Sequence, residues 1–134
     1  MTGGSLRIAG YAALFDVPDG AKDIIRRGAF RRTLAERHQP MPLLWQHRPD
    51  QQIGTVEAVE EDHRGLRIVA RVDNPESRAV NMLLRRAVSG LSFGYRARGF
   101  TSLPEGRLLE DIELFEVSLV THPLQHGARV HLVQ

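Results

Sequence analysis

The stretch Ser89-Gly90-Leu91-Ser92-Phe93-Gly94-Tyr95 decides how this chain is read. Its residues alternate as those of a β-strand do, with Leu91, Phe93 and Tyr95 on one face and Ser92, Gly94 and Arg96 on the other. Glycines on both sides leave the Ser92 hydroxyl unobstructed. The strand pattern runs on to Phe100, the cluster Ser102-Leu103-Pro104-Glu105-Gly106 turns the chain, and a second strand-like run, Leu108–Val120, follows. The pattern predicts a hairpin whose turn centres near residue 105.

In such a hairpin Ser92 faces residue 118, and Glu116 becomes its diagonal neighbour on the same face, roughly 7–8 Å away. That distance is too long for contact and suits a bridging imidazole. Glu116 sits inside the apolar run Leu114-Phe115-Glu116-Val117-Ser118-Leu119-Val120. An inward carboxylate there needs a partner; pattern alone leaves it open between that role and an exposed strand glutamate. The imidazole best placed to bridge is His47, which ends the segment Pro42-Leu43-Leu44-Trp45-Gln46 and precedes a turn. By itself His47 reads as structural. Beside a serine hydroxyl that needs a base, and an acid that could orient the base, it reads as functional.

The remaining chain supplies the frame. Leu6–Phe15 reads as a strand, Asp16–Gly20 as a turn, and Ile24 and Ile25 as a short apolar patch. Arg31–Arg37 reads as a short helix with Phe30 and Leu34 inward, ended by Gln39 and Pro40, and Met41–His47 as a compact apolar segment closed by His47-Arg48-Pro49-Asp50. Ile53–Glu60 and Gly65–Asp73 form a hairpin. Asn74 as N-cap and Pro75 at the first helical position open a helix carrying Ala79, Val80, Leu83, Leu84 and Ala87 on one side. Arg85 and Arg86 fall in its last turn, and Gly90 stops it. The tail His122–His131 reads as irregular.

Composition sets bounds on function. The chain has 134 residues, which suits a single domain spanning residues 1–134 around one core. It has no cysteine, which excludes disulfides, a thiol nucleophile and cysteine-based zinc. No apolar run approaches the roughly 20 residues of a membrane helix. Met1-Thr2-Gly3-Gly4-Ser5-Leu6-Arg7 lacks the apolar core of a signal peptide, so the expectation is a cytoplasmic product. Lys22 is the only lysine; acidic residues nearly balance the arginines, the formal net charge is +2, and no basic block exceeds a pair. That balance favours solvated surface arginines over nucleic-acid binding.

Two other motifs point elsewhere. Gly90-Leu91-Ser92-Phe93-Gly94 matches the G-x-S-x-G elbow of α/β-hydrolases, but that elbow requires a strand–turn–helix setting and a later histidine in a larger fold. His122, His126 and His131 suggest a metal, yet Pro123 and Gly127 break the helix that would align the first two. No cofactor or metal is expected.

Taken together the residues resemble a known family, the prohead maturation proteases of tailed phages, relatives of the herpesvirus assemblins. The resemblance covers about residues 8 to 130. It rests on Gly10-Tyr11-Ala12 with Phe15, Gly28-Ala29-Phe30 with Leu34, Leu44-Trp45-Gln46-His47 with Gly54, Gly90-Leu91-Ser92-Phe93-Gly94-Tyr95, and Phe115-Glu116-Val117-Ser118-Leu119-Val120-Thr121 with Pro123. It implies an α+β fold, a small and largely antiparallel β-barrel surrounded by a few helices. It also implies a serine endopeptidase with Ser92 as nucleophile, His47 as general base and an acidic third member, in a strand where the assemblins carry a second histidine. Glu116 falls at that place, with His122 the alternative.

The implied substrates are scaffold segments or extensions of the capsid protein precursor inside the immature shell, in the bacterial cytoplasm. Self-cleavage and a trimmed C-terminus are further implications, and self-association is left open. The sequence departs from the assemblins in lacking their arginine-rich loop after the third-member strand. His122-Pro123-Leu124-Gln125-His126-Gly127 stands there, and a backbone N–H of that loop is the expected oxyanion donor. The rival reading is a capsid- or scaffold-binding β-barrel module without activity.

Overall fold

The computed structural model describes residues 6–134. Strands β1 (Leu6–Leu14), β2 (Ile24–Ile25), β3 (Met41–Trp45), β4 (Arg48–Glu61), β5 (Gly65–Val72), β6 (Gly90–Ser102), β7 (Arg107–Val120) and β8 (Val130–Val133) form one sheet. Two short helices, α1 (Arg31–Glu36) and α2 (Arg78–Leu84), complete the described elements. The sheet order is β2-β7-β3-β4-β5-β1-β8, with β6 on β7. Pairing is antiparallel except where β2 and β3 run parallel to β7.

The core follows from the period-2 pattern. In β5, Leu66, Ile68, Ala70 and Val72 are buried while Arg67, Val69 and Arg71 are half-buried. In β1 the alternation breaks at a bulge between Tyr11 and Ala13, so Ala12 and Ala13 are both buried. Phe30 is fully buried between Phe15 and Phe93, meeting Phe93 edge-on at 5.4 Å. Thr33 lies inside α1, and its Oγ1 accepts from Leu114 N–H at 3.1 Å, which ties the helix to β7. A buried Asp23 carboxylate receives Arg107 at 2.7 Å and fixes the β2 end of the sheet.

Several expectations are corrected. The sheet is not a closed barrel. β8 is short and pairs with β1; among the described residues the chain just before it meets the start of β6 through the isolated bridge Gly90–Arg129 and bonds to Ser89 and Leu91, and β8 does not pair along β6. Asn74 and Pro75 do not begin α2: Asn74 Oδ1 accepts from Glu76 N–H in a preceding turn, and Ser77 is the cap, its Oγ accepting from Val80 N–H at 3.2 Å. The helix ends at Leu84, before Arg85 and Arg86, and Arg86 takes the left-handed conformation that reverses the chain. Gly90 therefore opens β6 instead of stopping a helix. A side chain at Gly90 would collide with Pro123 and Val120 O, so its absence lets the 122–127 loop pack on the strand. The tail is not wholly irregular, since Val130–Val133 forms β8. Arg48-Pro49-Asp50 belongs to β4, leaving Gln46 and His47 alone as the turn after β3. The leader expectation for Met1–Ser5 lies outside the described residues.

Candidate active site

β7 is flanked by β3 on one side and β6 on the other, so one row of residues crosses three strands. Leu44 pairs with Ser118 and Ser118 with Ser92. Two positions earlier on β7, Glu116 faces Gly94. The hairpin arithmetic of the sequence thus has the right register: Ser92 opposes residue 118 and Glu116 is diagonal to it. Ser118 and Ser92 are both buried, at 0% and 6% exposure.

Gly94 explains how a carboxylate fits on this face. A β-carbon there would overlap Glu116 Oε1 and lie 3.0 Å from Cδ and Cγ. The missing side chain is the space in which the Glu116 carboxylate lies. Glu116 Oε1 accepts from His47 Nδ1 at 2.6 Å, and Glu116 Oε2 accepts from Ser118 Oγ at 2.7 Å. Ser118 Oγ in turn accepts from the His47 N–H at 3.1 Å. One buried serine therefore holds both the carboxylate and the backbone of the histidine. A carboxylate can only accept, so the Nδ1 proton sits between His47 and Glu116 and Nε2 is left free to accept.

The hydrogen bond from Glu116 raises the His47 pKa above its ordinary value, against partial burial, which lowers it.

His47 is carried on a strained turn. Gln46 and His47 have φ of 51° and 60°, and Trp45 pairs with Arg48 across them. Two central residues with positive φ make a type I′ hairpin, a turn that prefers Asn-Gly. Here neither residue is glycine, and each left-handed residue costs about 1–2 kcal/mol. The turn is clamped from β7. Gln46 N–H donates to Leu119 O at 3.0 Å, Gln46 Nε2 donates to Thr121 Oγ1 at 2.6 Å, and Thr121 N–H donates to Gln46 Oε1 at 3.2 Å.

Of the residues singled out in the sequence, His47 and Glu116 are in contact, and Ser92 is beside them through Ser118. No hydrogen bond joins His47 to Ser92 among the described residues. His122 is exposed and makes no side-chain hydrogen bond there, so Glu116 is the acid that meets His47. Ser92 lies within β6 and not at a strand-to-helix elbow. His122, His126 and His131 do not converge: among the described residues no three histidine, cysteine, aspartate or glutamate side chains group to hold a metal. Sequence reasoning did not assign Ser118, Gln46 or Thr121. The first was visible as a polar residue in an apolar run, whereas the other two needed the β3–β7 register. The loop after β7 is anchored by buried Gln125, whose amide accepts from Leu14 N–H at 2.7 Å and donates to Leu14 O at 2.9 Å.

Comparison with known proteins converges on one group. A family described as "Caudovirus prohead serine protease" matches residues 2–134. The "Prohead protease" of Enterobacteria phage HK97 is 28% identical over 128 residues, covering 90% of this chain and 57% of that protein. A "Capsid polyprotein" of Pseudomonas phage PAJU2 is 28% identical over 87% of this chain and 18% of its own length. The chain thus spans a little more than half of one relative and less than a fifth of the other. Among solved structures, the capsid assembly protease of bacteriophage T4 superposes with a TM-score of 0.67 at 15% identity, over 85% of this chain and 80% of that one. The varicella-zoster virus protease superposes with a TM-score of 0.66 at 21% identity, over 97% and 64%. These likenesses give the fold, which is assemblin-like.

Proposed function

The chain belongs to the caudovirus prohead serine protease family, and from that premise we propose that it is a serine endopeptidase of capsid maturation. Ser92 is the nucleophile, His47 the general base and Glu116 the third member. The substrate is the capsid protein precursor or a scaffold segment, met inside the immature shell in the host cell. The observation that carries this reading is the buried row Ser92–Ser118, with the Glu116 carboxylate bound by both Ser118 and His47.

The chemistry is acyl transfer. His47 Nε2 takes the Ser92 proton as Oγ attacks the scissile carbonyl, and then returns it to the leaving amine; water repeats the sequence on the acyl-enzyme. Glu116 keeps the proton on Nδ1 and stabilises the imidazolium that forms. A backbone N–H of the 122–127 loop faces the oxyanion in this reading, a contribution of about 3–4 kcal/mol per donor. The loop is suited to the task because Gln125 locks it to β1 and Gly90 lets Pro123 sit against β6. In the resting protein the Ser92–His47 bond is unmade, and such bonds commonly tighten only with substrate in place.

That unmade bond is also what an inactive capsid- or scaffold-binding module would show. The two readings separate on incubation with the cognate capsid precursor. Cleavage should occur with the native chain and vanish in Ser92→Ala, whose fold should be unchanged. A serine-directed phosphonate should label Ser92 in the native chain and not in His47→Ala. Cleavage by Ser92→Ala at the native rate overturns the assignment, and absence of both cleavage and labelling in the native chain leaves the binding module.

A further inference from the structure

Of the 17 arginines, Arg7, Arg26, Arg27, Arg32, Arg71, Arg96, Arg98 and Arg107 each pair with a carboxylate. The others have no carboxylate partner among the described residues, and four of them, Arg64, Arg67, Arg86 and Arg129, lie around two adjoining cavities. The first, of about 330 Å³, is lined by Arg64, Arg67, Arg129 and His131 around Tyr11. Arg64 stacks over the Tyr11 ring at 5.1 Å and the His131 ring stands 6.0 Å from it. The second, of about 600 Å³, shares Arg129 and His131. It adds Arg86 and an apolar lining from Leu83 and Leu84 of α2 and Leu132 and Val133 of β8. Leu84 and Leu132 are 59% and 44% exposed.

Of the nearby carboxylates, Asp62 is already committed. Asp62 Oδ2 accepts from the Tyr11 hydroxyl at 2.5 Å, while Oδ1 accepts from the Arg64 and Gly65 N–H groups. Glu60 stands opposite Arg67 across β4–β5 but forms no ion pair with it.

The second cavity also runs along a free strand edge. β8 ends the sheet, and beyond Val130, whose N–H donates to Ser89 O, its outer side pairs with no strand among the described residues. An edge strand beside exposed leucines invites an added strand. A strand laid there presents alternate side chains to the groove and to its rim, about 7 Å apart. The groove offers Leu84, Leu132 and Val133 among polar groups, and the rim carries guanidiniums that have no carboxylate partner.

We propose that this face, formed by the α2 end, β8 and the Tyr11 pocket, is a docking site for an acidic polypeptide segment. The segment binds in extended form as a further strand on β8, with apolar residues toward Leu84 and Leu132 and carboxylates toward Arg64, Arg67, Arg86 and Arg129. Charge complementarity selects the acidic partner. The apolar lining selects a polypeptide over nucleic acid, because a phosphodiester backbone makes no use of Leu83, Leu84, Leu132 and Val133. His47, Ser92 and Glu116 line neither cavity, and the site does not depend on the catalytic reading.

The test uses the full chain carrying Ser92→Ala, so that no probe is cut. A short fluorescein-labelled peptide of alternating valine and glutamate is titrated alongside its valine–lysine counterpart and an oligothymidine of similar length. The glutamate peptide should bind, weaken as salt rises, and shift the amide resonances of residues 130–133 while leaving those of residues 45–47 in place. Arg64, Arg67 and Arg86 donate no side-chain hydrogen bonds in the fold, so the triple variant Arg64→Ala, Arg67→Ala, Arg86→Ala should stay folded and lose at least about tenfold in affinity. Leu84→Asp should lose as much. No binding of the glutamate peptide, equal binding of the lysine peptide, or undiminished binding by the triple variant overturns the proposal. Oligothymidine binding that depends on the same arginines, without glutamate-peptide binding, overturns it in favour of a nucleic-acid surface.

Discussion

The turn that carries His47 gives a test of whether strain at the site is held in place by a side chain. Gln46 and His47 both sit in the left-handed region, costing together about 2–4 kcal/mol. Against this stand the two hydrogen bonds that Gln46 exchanges with Thr121. At a half-exposed position each is worth about 0.5–1.5 kcal/mol, so the pair supplies about 1–3 kcal/mol. Gln46→Ala removes the clamp and keeps a β-carbon at positive φ; its expected loss of stability is about 1–3 kcal/mol. Gln46→Gly removes the same bonds but relieves about 1 kcal/mol of strain, so it should be the more stable of the two. That order is opposite to the usual one for an ordered position, where glycine is the weaker by about 0.5–1 kcal/mol. Urea denaturation measures the stabilities, and the rate of phosphonate labelling at Ser92 reports the site. Both variants should label about tenfold more slowly, since about 1.4 kcal/mol of lost positioning corresponds to a factor of ten. If Gln46→Ala keeps its stability and labelling rate, or proves more stable than Gln46→Gly, the clamp does not hold the turn and the reasoning fails.

Three further outcomes follow from the same geometry. Because Glu116 raises the His47 pKa, labelling of Ser92 should rise with pH through a limb above the ordinary histidine value of about 6.5. In Glu116→Gln only burial remains, so the limb should move below about 6.5 and the plateau should fall at least about a hundredfold. A raised folded pKa adds stability below the unfolded value and loses it as pH rises through the folded one. Native protein and Glu116→Gln should therefore differ most near pH 6 and least near about pH 9 in denaturant titrations. Gly94→Ala should displace the Glu116 carboxylate and slow labelling at least about tenfold. Gly99→Ala, where a β-carbon meets Asp111 Cβ at an ordinary 3.5 Å, should label normally. Ser118→Ala leaves the His47 N–H and Glu116 Oε2 each one partner short, and should cost about 1–3 kcal/mol in denaturation together with slower labelling.

What could be read in advance, and what could not, divides along a physical line. Ser92 and Glu116 lie on strands joined by one local turn, so period-2 alternation and the position of that turn were enough to set their register. His47 could be proposed but not positioned. Its place depends on β3 running parallel to β7, with Leu44 beside Ser118, a pairing between residues far apart that no local pattern encodes. The conformation of its turn was equally hidden, because positive φ is signalled by glycine or asparagine and here falls on glutamine and histidine. The α2 cap was misplaced because Asn74-Pro75 and Ser77 both offer start signals; Asn74 satisfied the turn and Ser77 the helix. The barrel was overstated because closure requires β8 to pair along β6. Among the described residues the two meet only at the start of β6, through the Gly90–Arg129 bridge and the bonds from Leu91 N–H to Ala128 O and Val130 N–H to Ser89 O, where Gly10 admits the Arg129 backbone.

The same long-range register accounts for the acid in the site. In a row across three strands, the residue on the middle strand contacts both neighbours, and Ser118 occupies that place. Its hydroxyl donates to Glu116 and accepts from the His47 backbone, so Glu116 and His47 are referenced to one atom of the central strand. The Glu116 carboxylate that meets His47 lies where a side chain on β6 would stand, and β6 has none there, at Gly94. The second glycine of Gly90-Leu91-Ser92-Phe93-Gly94 therefore has a role unrelated to any hydrolase elbow: it is the space that admits Glu116. The first has a separate one, admitting Pro123 and the loop after β7. The serine is flanked by two glycines because two different neighbours approach β6 on either side of it, and substituting one should not reproduce the effect of substituting the other.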